Sequence, residues 1–152
     1  MPSFETQNFG TIEYEENWMV DFPNGLPGFE ERRRFAALSF PDSEPLVFLQ
    51  SLEDRSLCFV TLPVLAIDPH YRLEIGDEDL ARLGLAPKRQ PRIGEEVACL
   101  AVLTLQESGP TANLLAPVVI NLANLKAVQA IAQESGYSHQ HVLSPVEALT
   151  CS

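Results

Sequence analysis

The chain has 152 residues, of which 45% are hydrophobic and 20% are charged, and this composition excludes an intrinsically disordered protein. One folded domain is expected for a chain of this length. Ten Lys and Arg residues against 21 Asp and Glu residues leave a net charge of −11, which argues against direct nucleic-acid binding because phosphates attract basic surfaces.

Short β-strands separated by turns are predicted in the N-terminal half of the chain. Polar and apolar residues alternate in residues 4–9 and 11–15, which is typical of strands. Apolar runs of strand length follow at residues 18–22, 35–40, 46–52 and 57–62. Residues 22–29 and 41–45 are rich in Pro and Gly and are predicted to be turns.

The middle of the chain combines a predicted strand with a predicted short helix. Tyr71, Leu73 and Ile75 alternate with polar residues and would share one face of a strand. Residues 76–84 follow as a helix, with Asp77 as its predicted N-cap and Gly84 as its stop. Residues 87–94 form a polar surface loop, and residues 97–105 are apolar on both faces, as in a buried strand.

The apolar segment 111–121 contains a proline, which a central strand does not normally tolerate. We expect two short strands bent at Pro117, with Asn113 and Asn121 satisfying backbone groups at the bends. Residues 126–133 are ambiguous, because their alanine content suggests a helix while their pattern also fits a strand.

These elements predict an all-β fold, which we expect to be a compact closed barrel-like domain with one or two short helices. A single domain would span residues 1–152, with its core at about residues 4–143. We expect the C-terminal tail, residues 144–152, to fray.

No catalytic motif is recognisable, so we expect a protein that is not an enzyme and needs no cofactor. His139 and His141 would share one face of a strand, and an enzyme that uses a metal there remains an alternative. Since these histidines lack further ligands at suitable spacing, we expect no metal site.

A cytoplasmic location is expected from three features of the sequence. No apolar run reaches the length of a membrane-spanning helix, so no membrane association is expected, and the N-terminus lacks the pattern of a signal peptide. Cys58, Cys99 and Cys151 make an odd number, and two of them lie in apolar runs, as expected for buried thiols in a reducing compartment.

Several motifs together resemble the FliW family of bacterial flagellar assembly factors. The resemblance covers residues 4–143 and rests on residues 9–12 (FGTI), 22–29 (FPNGLPGF), 48–51 (FLQS), 77–80 (DEDL) and 111–121 (TANLLAPVVIN). The motif residues that we interpret as structural are Asn24, Gly25, Pro27, Gly28, Phe29, Gln50, Ser51, Asn113, Pro117 and Asn121.

The resemblance implies a barrel-like monomer that binds two proteins, the RNA-binding translational repressor CsrA and flagellin. In such proteins free flagellin occupies the factor, and export of flagellin releases it to sequester CsrA and relieve repression of flagellin translation. Two routes of inhibition are open, covering the RNA site of CsrA or binding beside it, where added negative charge repels the phosphates. The family resemblance implies the second, non-competitive route. An alternative is a chaperone that only holds flagellin and has no regulatory partner.

Candidate contacts with CsrA follow from charge alone. An acidic protein can be steered towards a basic partner. We therefore predict that Glu13, Glu15, Asp77, Glu78 and Asp79 contact CsrA. The basic run 32–34 is expected to be a loop or a solvated face.

Overall fold

Eleven short strands and two short helices make up the described part of the chain. The computed structural model describes residues 3–7, 9–13, 19–26, 28–107, 109–131 and 136–143. The strands are β1 (Ser3–Thr6), β2 (Gly10–Glu13), β3 (Met19–Asp21), β4 (Arg34–Leu38), β5 (Val47–Ser51), β6 (Cys58–Pro63), β7 (Val97–Gln106), β8 (Gly109–Ala112), β9 (Val118–Asn121), β10 (Ala127–Gln129) and β11 (His141–Val142). The helices are α1 (Val64–Ile67) and α2 (Asp77–Leu83), and Pro41–Ser43 form one turn of 3-10 helix.

The strands are arranged as one large antiparallel sheet and one hairpin. The main path runs β10-β9-β7-β6-β5-β4-β3, and among the described strands β1 pairs only with β2. β7 extends beyond this path. Its last residues pair with β8, and β8 in turn pairs with β11. The two ends of the main path meet at a single parallel bridge, Asp21 with Lys126, where the Asp21 N–H donates to the Leu125 carbonyl at 3.0 Å.

The predicted mostly-β architecture with short helices is therefore confirmed, whereas a closed barrel is not. One bridge is not a ladder of strand pairs, so the described sheet has two ends rather than a continuous wall. The ambiguous segment beginning at Lys126 is a strand over Ala127–Gln129, where it pairs with β9. The expected fraying of the tail falls on residues 144–152, which lie outside the described residues.

The buried side chains of the described residues form two large clusters and one small one. The largest joins β6, β7 and β9 to both helices, with Leu62, Val64, Leu80, Leu83 and Val119 nearly inaccessible. A second joins β3, β4 and β5 to β7, β9 and β10 and contains Phe22 and Phe35, whose rings meet edge to face at 5.3 Å. The third, beneath the β1–β2 hairpin, contains only three buried residues, Ile12, Ala36 and Leu38.

Residues 71–75 are extended but do not form the predicted strand. Tyr71, Leu73 and Ile75 are buried and the residues between them are exposed, so the alternation predicted the burial correctly. The strand prediction was wrong because the backbone groups of Arg72 and Ile75 bond side chains instead of a neighbouring strand. Gln90 accepts from the Ile75 N–H at 2.7 Å and donates to the Ile75 carbonyl at 3.0 Å, which imitates a strand partner.

The helix predicted at residues 76–84 is present, but its N-cap is Gly76 rather than Asp77. Gly76 makes no side-chain cap, and the Asp77 carboxylate instead accepts from the Lys88 backbone N–H at 3.0 Å. Gly84 ends the helix in the left-handed conformation, at φ 76°. The Leu85 N–H then bonds the Leu80 carbonyl at 2.8 Å, which is the pattern of a Schellman C-cap.

The bend in the segment 111–121 is built by Asn113 and Pro117, whereas Asn121 bonds other groups at the end of β9. Asn113 Oδ1 accepts from the backbone N–H groups of Leu115 and Ala116, at 3.1 and 2.9 Å. Pro117 is buried and immediately precedes β9, a position where a missing N–H leaves the ladder intact. β8 and β9 are therefore separate strands joined by a side-chain-stabilised turn.

Candidate partner-binding surfaces

An acidic groove lies where the N-terminal turn of α2 faces the edge strand β10. Its volume is about 630 Å³, and it is lined by Glu74, Asp77, Glu78, Asp79, Arg82, Gln129 and Ile131 among others. Three of the predicted partner-binding residues therefore share one surface depression. Four carboxylates against one guanidinium give this lining a net negative charge, and Ile131, 57% exposed, adds an apolar patch beside it.

The three carboxylates of the first helical turn have different partners. Asp79 pairs with Arg82 at 2.7 Å and is largely covered, and Asp77 bonds the Lys88 backbone. Glu78 has 90% of its side chain exposed, and its distance to Arg82 is a loose 3.8 Å. A pair of this kind contributes little to stability, so Glu78 is the carboxylate most available to another molecule.

The C-terminal end of α2 is held by asparagines from the β9–β10 turn. Asn121, which is 4% exposed, donates from Nδ2 to the Leu83 carbonyl at 2.7 Å, and Asn124 donates to the same oxygen at 3.1 Å. Helix carbonyls at this end have no partner within the helix, so these bonds satisfy one of them. Asn121 therefore fixes the helix that carries the acidic groove.

The glycine- and proline-rich turn packs beside α2. Gly25 has φ +66°, and a Cβ on it would lie 2.5 Å from the Glu30 backbone, so only glycine fits. The Asn24 amide oxygen, in the orientation that satisfies its neighbours, accepts from Arg82 Nε at 2.6 Å. A second depression of about 280 Å³ separates this turn from α2 and β10, and Asp79, Arg82 and Gln129 line both depressions.

The remaining residues of this turn shape its outer side. Gly28 has φ +84° with open space around its α-carbon, and its N–H bonds the Glu30 carboxylate at 3.2 Å. Phe29 is 41% exposed, and its ring meets Phe59 edge to face at 5.5 Å. Pro27 lies outside the described residues.

Gln50 and Ser51 organise the turn between β5 and β6 from the inside. The fully buried Gln50 amide donates to the Ser51 carbonyl at 3.0 Å and reaches the Arg55 carbonyl at 3.3 Å. Ser51 Oγ accepts from the backbone N–H groups of Glu53 and Asp54, at 3.1 and 2.9 Å. Both motif residues thus stabilise a turn rather than present themselves to a partner.

Glu13 lies on a different depression from the acidic groove, which we call the aromatic cleft. It has a volume of about 680 Å³ and lies between the β1–β2 hairpin and the connection from β4 to β5. Its apolar lining is Phe9, Ile12, Leu38, Phe40 and Phe48, and its polar lining is Thr11, Glu13, Ser39, Asp42 and Ser43. Glu15, the other residue predicted near this end of the chain, lies outside the described residues.

Sequence patterns did not indicate Arg82, Gln129, Ile131 or the aromatic cleft. The rings of the cleft come from residues 9, 40 and 48, which no local spacing connects. The acidic run at α2 was visible in the sequence, whereas the edge strand that completes its groove was visible only as an ambiguous segment.

The basic run 32–34 and a second basic group, Lys88, Arg89 and Arg92, are accompanied by carboxylates. Glu53 accepts from the backbone N–H groups of Arg33 and Arg34 at 2.7 and 3.0 Å, and these bonds, Arg34 first, lower the pKa of its carboxyl. Arg89 makes two 2.9 Å bonds to Glu96, which raise the pKa of the guanidinium and lower that of the carboxyl. Glu96 thus pairs with the Arg89 side chain, and Glu53 places a negative charge beside the run 32–34, which reduces the basic surface that nucleic acid would need.

Reactive groups are scarce in the described part of the chain. Cys58 and Cys99 are free thiols, and burial raises their pKa to about 11 and about 12, so both are protonated at neutral pH. Cys151 lies outside the described residues. The described residues contain no group of three or more His, Cys, Asp or Glu side chains placed to hold a metal ion, His139 and His141 included.

The described helices are too short to cross a membrane. α2, the longer of the two, has seven residues.

Comparison with known proteins gives one consistent result. The family model of the FliW protein matches residues 3–143. The flagellar assembly factor FliW of Thermosipho africanus is 37% identical over 138 residues, which cover 89% of this chain and 91% of the relative. That of Syntrophomonas wolfei is 34% identical over 142 residues, covering 91% and 87%. A crystal structure of the flagellar assembly factor FliW superposes with a TM-score of 0.80 at 32% identity, over 95% of this chain and 99% of that one.

Proposed function

This chain belongs to the FliW family of flagellar assembly factors, and on that premise we propose that it binds the translational repressor CsrA and flagellin. Flagellin held in the cell occupies the factor. When flagellin is exported, the freed factor binds CsrA and relieves repression of flagellin mRNA translation. The related proteins are named as assembly factors, which agrees with a role by binding rather than by catalysis.

The acidic groove is the observation that carries this proposal. CsrA binds RNA and therefore needs a basic surface. The lining of the groove has four carboxylates and one guanidinium, and Glu78 at its rim is 90% exposed. A basic protein is steered towards such a surface at long range, which raises the association rate more than the final affinity.

Charge also suggests how binding would inhibit the repressor. A chain with a net charge of −11 that docks beside an RNA site adds negative potential there. Phosphates would then be repelled even if the RNA site itself stays uncovered. We propose this non-competitive route, with Glu13, Glu15, Asp77, Glu78 and Asp79 as the candidate contacts.

We further propose that the free protein is a cytoplasmic monomer with a barrel-like shell. The Asp21–Lys126 bridge supports the barrel-like shape, since it brings the two ends of the main sheet together. The free thiols of Cys58 and Cys99 support a reducing compartment, where cysteines stay unpaired.

Calorimetric titration with the CsrA and the flagellin encoded by the same genome tests the proposal. We expect both proteins to bind. We also expect CsrA binding to weaken steeply between about 0.1 M and about 1 M salt, because the Debye length falls from about 10 Å to about 3 Å over this range. A labelled target RNA pre-bound to CsrA should be released when the protein is added.

The outcomes separate the proposal from its alternative. Binding of flagellin without any binding of CsrA at low salt would indicate a flagellin-holding chaperone. Binding of neither protein would contradict the proposed function altogether.

A further inference from the structure

The aromatic cleft is an apolar surface that the described chain leaves unfinished. The small cluster beneath it has three buried residues, and five further hydrophobic residues packed against it are only partly buried, four of them phenylalanines. In the second cluster, by contrast, the rings of Phe22 and Phe35 are completely covered. Apolar area left accessible in a concave site is available for another molecule to bury.

Three phenylalanine rings give the cleft a defined shape. Phe9 and Phe48 lie 5.2 Å apart edge to face, Phe9 and Phe40 are 5.5 Å apart, and Phe40 and Phe48 are 5.8 Å apart. Each ring therefore contacts the other two, which holds all three in place. Phe48 is further fixed by its position on β5, where it pairs with Leu38 and Val60. A preformed aromatic surface of this kind loses little entropy on binding.

The polar rim of the cleft carries charge of one sign. Glu13 and Asp42 line it, and its described lining contains no Lys or Arg. No described Lys, Arg or His nitrogen lies within salt-bridge distance of either carboxylate. The cleft thus combines an apolar floor with two carboxylates that have no described ion-pair partner.

We propose that the aromatic cleft is a second docking site, which takes an amphipathic segment of a protein partner. The segment presents apolar side chains to the three rings and a Lys or Arg to Glu13 and Asp42. This complementarity matches the charge of the rim, since an acidic or purely polar segment would leave the two carboxylates repelled or unpaired. The inference rests on the proposed partner-binding function and adds to it a site separate from the acidic groove.

Filling the cleft tests the inference without removing any core residue. Thr11 and Ser39 both line the cleft and are exposed, so Thr11→Trp and Ser39→Trp each add an indole at its lining. Thr104→Trp is the matched control, because Thr104 is an exposed threonine on β7 that does not line the cleft. CsrA and flagellin of the same genome are titrated into all four proteins, and their melting temperatures are compared first.

We expect both filling variants to weaken binding of one of these partners by about tenfold or more, as loss of a central apolar anchor does. The control should stay within about twofold of the wild type. The double variant Glu13→Gln/Asp42→Asn should weaken binding of the same partner and flatten the salt dependence of that binding. The control Glu95→Gln/Glu107→Gln has the same net charge and should change both quantities less.

Each of the other outcomes contradicts a different claim. If the wild type binds a partner and both filling variants bind it equally well, the docking site is wrong and the proposed function stands. If the wild type binds neither partner, the proposed function fails, and the inference fails with it. If sedimentation shows a wild-type dimer that the filling variants abolish, the occupant is a second copy of this chain and the proposal is wrong.

Discussion

The buried Asn121 side chain donates a 2.7 Å hydrogen bond to the Leu83 carbonyl, and so ties the end of β9 to the last turn of α2. Its Oδ1 simultaneously accepts from the Ala123 N–H at 2.9 Å, which closes the turn that follows. One side chain thus links a core strand, a tight turn and the helix whose first residues form the acidic groove. Asn121 therefore holds α2 at its C-terminal end, whereas the acidic groove lies at the N-terminal end of the same helix.

Asn121→Ala should therefore destabilise the protein by about 1–3 kcal/mol, because it removes two bonds from a buried site. Urea unfolding followed by circular dichroism measures the change in the free energy of unfolding. Asn124→Ala is the control, since Asn124 bonds the same carbonyl at 3.1 Å from an exposed position. Equal losses in the two variants would contradict the role given to Asn121.

Gly25 and Gly28 allow a matched test of the glycine-rich turn. Both have positive φ, so alanine at either position should cost about 1–2 kcal/mol of backbone strain. Only at Gly25 would the new methyl also meet backbone, at 2.5 Å from Glu30. We expect Gly25→Ala to destabilise clearly more than Gly28→Ala in the same unfolding measurement. If Gly28→Ala were as harmful, the close approach of the Glu30 backbone would not be the cause.

How much of this structure was predictable depends on the range of the interactions. Period-two patterns and turn residues are local, and they predicted a mostly-β chain with a short helix ended by Gly84. The alternation of Tyr71, Leu73 and Ile75 also predicted which side chains are buried. It could not show that the backbone partner of this segment is the Gln90 side chain, fifteen residues from Ile75.

The same limit applies to the candidate surfaces. The acidic run of α2 was evident in the sequence, but the partners of its carboxylates were not. Asp79 is engaged by Arg82 and Asp77 by the Lys88 backbone, which leaves Glu78 most available. The aromatic cleft joins Phe9 to Phe40 and Phe48 across two sheets, and only the folded chain brings them together.

Gln90→Ala gives a local test of the side chain that replaces a strand partner. Removing its two bonds to Ile75 should cost about 1–3 kcal/mol, since each such bond contributes about 0.5–1.5 kcal/mol. The Ile75 amide should also exchange its hydrogen faster with solvent, which NMR detects residue by residue. An unchanged exchange rate of the Ile75 amide would show that the two hydrogen bonds from Gln90 do not stabilise this segment.

Glu53 predicts an acid-dependent part of the stability. Hydrogen bonds from the backbone of Arg34 and Arg33 lower the pKa of its carboxyl below the ordinary value of 4.5. The folded state therefore binds a proton at Glu53 less readily than the unfolded state does. The contribution of Glu53 to the free energy of unfolding is complete above pH 4.5 and is lost as the pH falls through the lowered pKa. Glu53→Gln should thus be less stable than the wild type near neutral pH, and the difference should shrink in acid. A difference that stays constant down to the acid unfolding transition would exclude this role.

Charge reversal at Glu78 tests the acidic groove directly. Glu78→Lys should leave stability nearly unchanged, because the side chain is 90% exposed and its contact with Arg82 is loose at 3.8 Å. It should slow association with CsrA several-fold at low salt, and the effect should fade at high salt, where screening weakens steering. Glu107→Lys, an exposed site away from the groove lining, makes the same change in net charge. Stopped-flow rates that fall equally in both variants would mean that overall charge, rather than this groove, steers the repressor.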